Sequence, residues 1–258
     1  MKFLKSLVIT FSLYSKVPMP IFIWEKEDKS YVGAALPFVG ALIGAFCYVA
    51  TIFCGYFDLP DMMRVALLIL IPIALSGGIH LDGFLDVSDA LSSYGSKEKK
   101  LEILKDPHIG AFAIINIIKL LAVLVIGLAM IDGKAAHMAL AFSYIYSRAF
   151  ASLALLTIKN ARGEGMLFDV GAVGNIKKIN IVILSIEFVI VSVLLAYFTK
   201  IYALLVCLTA GISYLYYIHK AQKEFGGITG DTEGWFIVST EAAMALVIGL
   251  LRVILGWI

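Results

Sequence analysis

Asp82, Asp86 and Asp89 follow one another at i, i+4 and i+7 in the stretch Gly77-Gly78-Ile79-His80-Leu81-Asp82-Gly83-Phe84-Leu85-Asp86-Val87-Ser88-Asp89. On a helix that spacing puts all three carboxylates on one face. Neighbouring carboxylates about 5–6 Å apart repel by roughly 1 kcal/mol in water and several-fold more in a lower dielectric. A hard divalent cation reverses that sign. Carboxylate-held Mg²⁺ keeps open positions that phosphate oxygens fill, so the spacing predicts phosphate chemistry with Asp82, Asp86 and Asp89 as metal ligands. Gly83, without a side chain, lets a ligand or a second helix approach. The roles open to His80 are metal ligand, general base, partner to an aspartate, or a purely structural histidine.

A second polar island is Gly226-Gly227-Ile228-Thr229-Gly230-Asp231-Thr232-Glu233-Gly234. Gly227, Thr229, Gly230 and Thr232 suit a backbone nest for an anion at a helix N-terminus, and a flexible loop with a helix cap is the plainer reading. Asp231 and Glu233 would add a carboxylate or orient a hydroxyl. A third island, Lys105-Asp106-Pro107-His108-Ile109-Gly110-Ala111, marks a turn into a helix. In the fourth, Asn160-Ala161-Arg162-Gly163-Glu164-Gly165, Arg162 presents a planar fork to phosphate oxygens or anchors the topology. Arg148 lies inside an apolar run, where an unpaired guanidinium is unfavourable, so it must meet a carboxylate or a ligand phosphate. Glu187 and Glu241 are its candidate partners.

The elements that carry these residues are membrane spans. The 258 residues are 61% hydrophobic and 16% charged, with mean hydropathy +0.94, which excludes an ordinary soluble domain. Apolar runs of about 20 residues, enough to cross the hydrocarbon core, predict an all-α polytopic bundle of seven spans. They cover about 32–57, 62–80, 111–131, 135–158, 179–198, 200–218 and 234–257. The connections on one side of these spans carry 15 Lys and Arg, against Arg64, Lys134 and Lys200 on the other. That asymmetry predicts a multi-pass protein of the cell membrane, with every long polar loop in the cytoplasm and the C-terminus outside. All four islands then share one face of the membrane.

Residues 1–16 lack a signal-peptide cleavage site. Phe3, Leu4, Leu7, Val8, Phe11 and Tyr14 form a stripe that suits a helix lying in the interface, which Ile9 and Leu13 interrupt. Cys47, Cys54 and Cys207 fall inside spans as small apolar fillers. No internal repeat and no nucleic-acid patch stands out, so the chain is read as one domain, 1–258, with room for a homo-oligomer.

The chain resembles cobalamin synthases, the adenosylcobinamide-GDP ribazoletransferases. The resemblance rests on Gly78-Ile79-His80-Leu81-Asp82-Gly83 with Asp86 and Asp89, on Asp106 through Ala111, on Arg162 to Gly165, and on Gly227-Ile228-Thr229-Gly230-Asp231-Thr232. The N-terminal segment Phe11 to Pro20 joins them, so the likeness runs through nearly the whole length. Members often have Arg where His108 stands, and Gly-Leu-Gly where this chain has Gly165-Met166-Leu167. The resemblance implies a Mg²⁺-dependent membrane enzyme that joins adenosylcobinamide-GDP to α-ribazole, or to α-ribazole 5'-phosphate, and releases GMP. On that reading the aspartate-held Mg²⁺ binds the diphosphate, Arg162 and Arg148 steady the transferring group, and His80 or Asp231 takes the hydroxyl proton. The rivals are a CDP-alcohol phosphotransferase, whose Ala-Arg pair is missing from residues 82–98, and a cation transporter, whose sites would lie nearer the bilayer midplane.

Overall fold

The computed structural model describes residues 2–162 and 174–257. Its elements are α1 (Lys2–Tyr14), a 3₁₀ turn (Lys26–Lys29), α2 (Val32–Tyr56), α3 (Asp61–Ser76), α4 (Ile79–Ser92) and α5 (Lys97–Ile103), then α6 (Ala111–Met130), α7 (Lys134–Thr157), α8 (Gly174–Thr199), α9 (Ile201–Phe225) and α10 (Gly230–Trp257). No strand occurs among the described residues beyond one isolated bridge between Asn160 and Ile228. Six helices are long and apolar enough to cross a membrane, and a seventh crossing counts if α3 and α4 form one bent span.

α7 is the axis of the bundle. It is rich in Ala and Ser, and 78% of its apolar window is buried. Small residues let backbones approach where lipid offers no hydrophobic drive for helix association. Gly40 and Gly44 of α2 rest directly on the Tyr144 and Ala141 carbonyls, where a Cβ would collide. α8 is the opposite case: only 11% of its window is buried, and Ile186, Val189, Ile190 and Val193 face outward. In water such a face would be untenable; against acyl chains it costs nothing.

The second predicted span is corrected by the structure. The sequence reading carries it through residue 80, but α3 ends at Ser76 and the chain turns by 94° into α4. Gly77 and Gly78 cause the break, with φ of +66° and +80°, a left-handed pair that a side chain would resist. α3 alone has 16 residues, about 24 Å of helix, short of a roughly 30 Å hydrocarbon core. His80 and the aspartates therefore ride on a separate helix, packed on α6 and α10. The 81–110 segment, read as a wide loop, is largely α4 and α5. Other boundaries move outward: α8 begins at Gly174, α9 runs on to Phe225, and α10 begins at Gly230.

α1 lies on the bundle, with a different face from the one predicted. Ser6, Ile9 and Thr10 are its buried residues, whereas Leu4 is 64% exposed. Ile9 packs with Val32 and Leu155, and the Ser6 hydroxyl donates to the Asp28 carbonyl at 2.5 Å. The apolar stripe misleads because protein claims one side of α1 and leaves part of the stripe to lipid.

Candidate active site

Two glycines create the site. α4 and α10 cross at Gly83 and Gly234: a Cβ on Gly83 would lie 2.7 Å from the Asp231 carbonyl oxygen, and one on Gly234 would lie 2.9 Å from that of His80. The helices touch backbone to backbone. This contact brings Asp82 and Asp86 of α4 beside Asp231, the second residue of α10.

The Gly-rich loop before α10 is a rigid mount. Gly226 ends α9 in the left-handed conformation, φ +79°, donating its N–H to the Ala221 and Gln222 carbonyls. Gly227 packs on Lys159 and Ala161 with no room for a side chain. Ile228 exchanges backbone hydrogen bonds with that segment, accepting from Ala161 N–H and donating to the Lys159 carbonyl, both at 2.9 Å. Thr229 and Thr232 cap α10 reciprocally: the Thr229 N–H donates to Thr232 Oγ1 at 2.8 Å, and the Thr232 N–H donates to Thr229 Oγ1 at 3.1 Å. Gly227 and Thr232 do not line the neighbouring cavity, while Thr229 and Gly230 do. The helix-cap alternative of the sequence reading thus describes the two hydroxyls.

The same pairing of loops positions Arg162. Its backbone N–H donates to Asn160 Oδ1 at 2.8 Å, and its guanidinium Nη2 donates to Asp231 Oδ2 at 3.0 Å and to the Leu104 carbonyl at 3.3 Å. Both side chains of the Arg162–Asp231 pair are 26% exposed, so solvent and ligand reach them.

A cavity of about 350 Å³ opens between these groups, lined by Tyr14, His80, Asp82, Arg162, Asp231 and Glu233 among others. Its size lies within the range of small-molecule sites, about 300–1,000 Å³. Asp86 is pushed up to about 6 by partial burial and by the charges of Asp82 and Asp231, with Arg162 opposing. Negative charge is thus in excess here. His80 is 6% exposed and stacks on Tyr14, ring centroids 6.2 Å apart. Burial and then the Arg148 charge hold it down to about 3, so its imidazole is neutral, and its Nε2 has no partner. Tyr14 was missed as a site residue because its place in an amphipathic stripe says nothing about what the stripe covers.

Asp89 packs on Gly110 at the N-terminus of α6, and its charge joins those of Asp82 and Asp231 in raising Asp86. Among the described residues no three His, Cys, Asp or Glu side chains stand close enough to enclose a metal ion. The oxygen donors form an open rim, a donor set suited to a hard cation that takes one or two carboxylates and fills its other positions with water and phosphate.

Arg148 lies outside this rim. It is 1% exposed and pairs with Glu241 through Nη1, which also donates to Ser147 Oγ at 2.9 Å and to the Tyr144 carbonyl at 3.2 Å. With His80 it borders a second, mostly apolar cavity of about 60 Å³. Of its two candidate partners Glu241 is the one engaged; Glu187 Oε2 is buried without a partner. Asp106 accepts from the His108 N–H at 3.0 Å in an exposed turn that serves as the entry to α6. The Gly163-Glu164-Gly165 part of the fourth island, and Met166-Leu167 after it, lie outside the described residues.

The family model described as Cobalamin-5-phosphate synthase matches residues 6–249. An adenosylcobinamide-GDP ribazoletransferase of Lachnoclostridium phytofermentans is 37% identical over 251 residues, 96% of this chain and 95% of that protein. A protein of the same name from Clostridium perfringens is 33% identical over 250 residues, 96% of this chain and 99% of its own. One from Clostridium tetani is 29% identical over 238 residues, 91% and 92%. No solved structure matches the chain.

Proposed function

Because this chain belongs to the cobalamin-5-phosphate synthase family, we propose that it joins adenosylcobinamide-GDP to α-ribazole or α-ribazole 5'-phosphate, forming adenosylcobalamin or its 5'-phosphate and releasing GMP. The observation that supports this most directly is the meeting of Asp82, Asp231 and Arg162 at one cavity from three separate parts of the chain, with Asp86 near enough to feel the charges of all three. Phosphoryl transfer needs little covalent help from protein. It needs the reacting groups placed in line and the developing charge offset.

The chemistry balances as one displacement. The ribazole hydroxyl oxygen bonds to the phosphorus that carries the cobinamide aminopropanol, the bond from that phosphorus to the bridging oxygen breaks, and GMP leaves with the electron pair. Asp82, Asp86 and Asp231 would hold Mg²⁺, which supplies a Lewis acid for the diphosphate oxygens. Arg162 would turn part of its fork from Asp231 to the transferring phosphate, an exchange its exposure permits. Of the two candidate acceptors for the hydroxyl proton, Asp231 is made more basic by burial, whereas His80, held down to about 3, is a weak base whose open Nε2 can accept a hydrogen bond. The excess of Lys and Arg in the connections on this side supports a cytoplasmic site by the positive-inside rule.

The test is an end-point assay of the detergent-purified chain with adenosylcobinamide-GDP, α-ribazole and Mg²⁺. GMP and a joined corrinoid product should appear together and vanish with EDTA. Absence of GMP under conditions where the protein is folded would refute the reading.

A further inference from the structure

On the side of α4 turned away from the carboxylates, a groove of about 540 Å³ runs between α4, α6 and α10. Phe84, Leu91, Leu120 and Trp235 form much of its apolar wall, and Ala242 and Ala243 leave it open along α10. Its polar groups are Ser88, Ser92 and Tyr94 from α4 and the turn after it, Asn116 and Lys119 from α6, and Ser239 from α10. No Asp or Glu lines it.

Lys119 is the unusual member. It stands eight residues into α6, about 12 Å along the helix, within a span of mean hydropathy 2.6. A cation at that depth is costly unless it reaches water or an anion. Its ammonium makes a long contact of 3.5 Å to Asn116 Oδ1, one turn back toward the site end, and pairs with no carboxylate among the described residues. Beside it Ile115 and Ile118 are 45% and 61% exposed, so the groove is approached from lipid rather than from water.

We propose that this groove seats one glycerophospholipid of the surrounding leaflet, its phosphodiester on Lys119 and its acyl chain along Val123, Ala243 and Leu246. The charge is complementary, since the groove offers a single cation and hydroxyl or amide donors with no competing anion. A phosphate oxygen takes the ammonium donors that protein leaves unfilled. The occupant also buttresses α4, whose other side carries Asp82 and Asp86.

The experiment measures retention of added phosphatidylglycerol by the full-length, delipidated protein in detergent, using native mass spectrometry, with diacylglycerol of the same chains as the phosphate-free control. One phospholipid should be held in preference to diacylglycerol. Lys119→Ala should weaken it by about tenfold, the loss of one hydrogen bond to a charged group, and Lys119→Arg should preserve it. Ala243→Trp, which plugs the groove without touching the cation, should also weaken it. Equal retention of both lipids by the wild type overturns the proposal even if a variant fails to fold, as does wild-type retention by folded Lys119→Ala. Turnover is not the readout, so the result stands apart from the transferase reading.

Discussion

Two of the arginine–carboxylate pairs among the described residues look alike on paper and sit in opposite surroundings. Arg148–Glu241 is sunk in the bundle, with side chains 1% and 11% exposed; Arg162–Asp231 sits at the bundle end, both at 26%. Arg148 is further tied to Ser147 and the Tyr144 carbonyl, whereas Arg162 holds one carboxylate and one carbonyl beside an open cavity. An ion pair that has paid full desolvation is fixed in place, because either charge alone would be stranded. A half-exposed pair can trade its partner for a substrate anion. Position in the bundle, more than residue type, separates scaffold from site.

The largest expected effect falls on the open site. Asp82→Asn keeps the shape of the carboxylate and removes its charge, so Mg²⁺-dependent GMP release should drop by at least about a thousandfold, while the melting temperature hardly moves. Retained turnover would remove Asp82 from the metal site. Next is the buried pair: Arg148→Ala should destabilise the fold by about 3–5 kcal/mol, whereas the joint change Arg148→Met with Glu241→Leu should recover most of that loss. Thermal unfolding in detergent reads both, and a Met/Leu pair as unstable as the single variant would show that the site needs the charges themselves.

Arg162→Ala should reverse the pattern, lowering turnover by about a hundredfold with at most about 1 kcal/mol lost in stability. Asp86 sharpens the comparison through pH. Its pKa of about 6 means that a proton competes with the cation as pH falls through 6. The Mg²⁺ needed for half-maximal rate should rise by about tenfold between pH 7 and pH 5, and Asp86→Asn should flatten that rise. The smallest effect belongs to the mount: Thr229→Ala removes a buried helix cap and should cost about 1 kcal/mol with little change in the Mg²⁺ requirement.

Much of the helical pattern was legible because each span must satisfy its own backbone in lipid, which writes long apolar runs into the sequence. Arg148 and Arg162 were legible as special, one by its depth and the other by its polar island. Their difference in setting was not, since the sequence offered Glu187 and Glu241 alike to Arg148 and only packing brings up Glu241, 93 residues away. The break at Gly77-Gly78 was hidden by the apolar residues on both sides, and the threonines of the last loop carried a cap and a nest signature at once.

The sequence by itself determined an all-helical chain of apolar spans and the family to which it belongs. Hydropathy and charge asymmetry are local quantities that the membrane reads directly. Tertiary structure alone decided which aspartates face one another, because Gly83 and Gly234 let α4 and α10 pack backbone to backbone. That contact brings Asp231 of α10 up to Asp82 and Asp86 of α4.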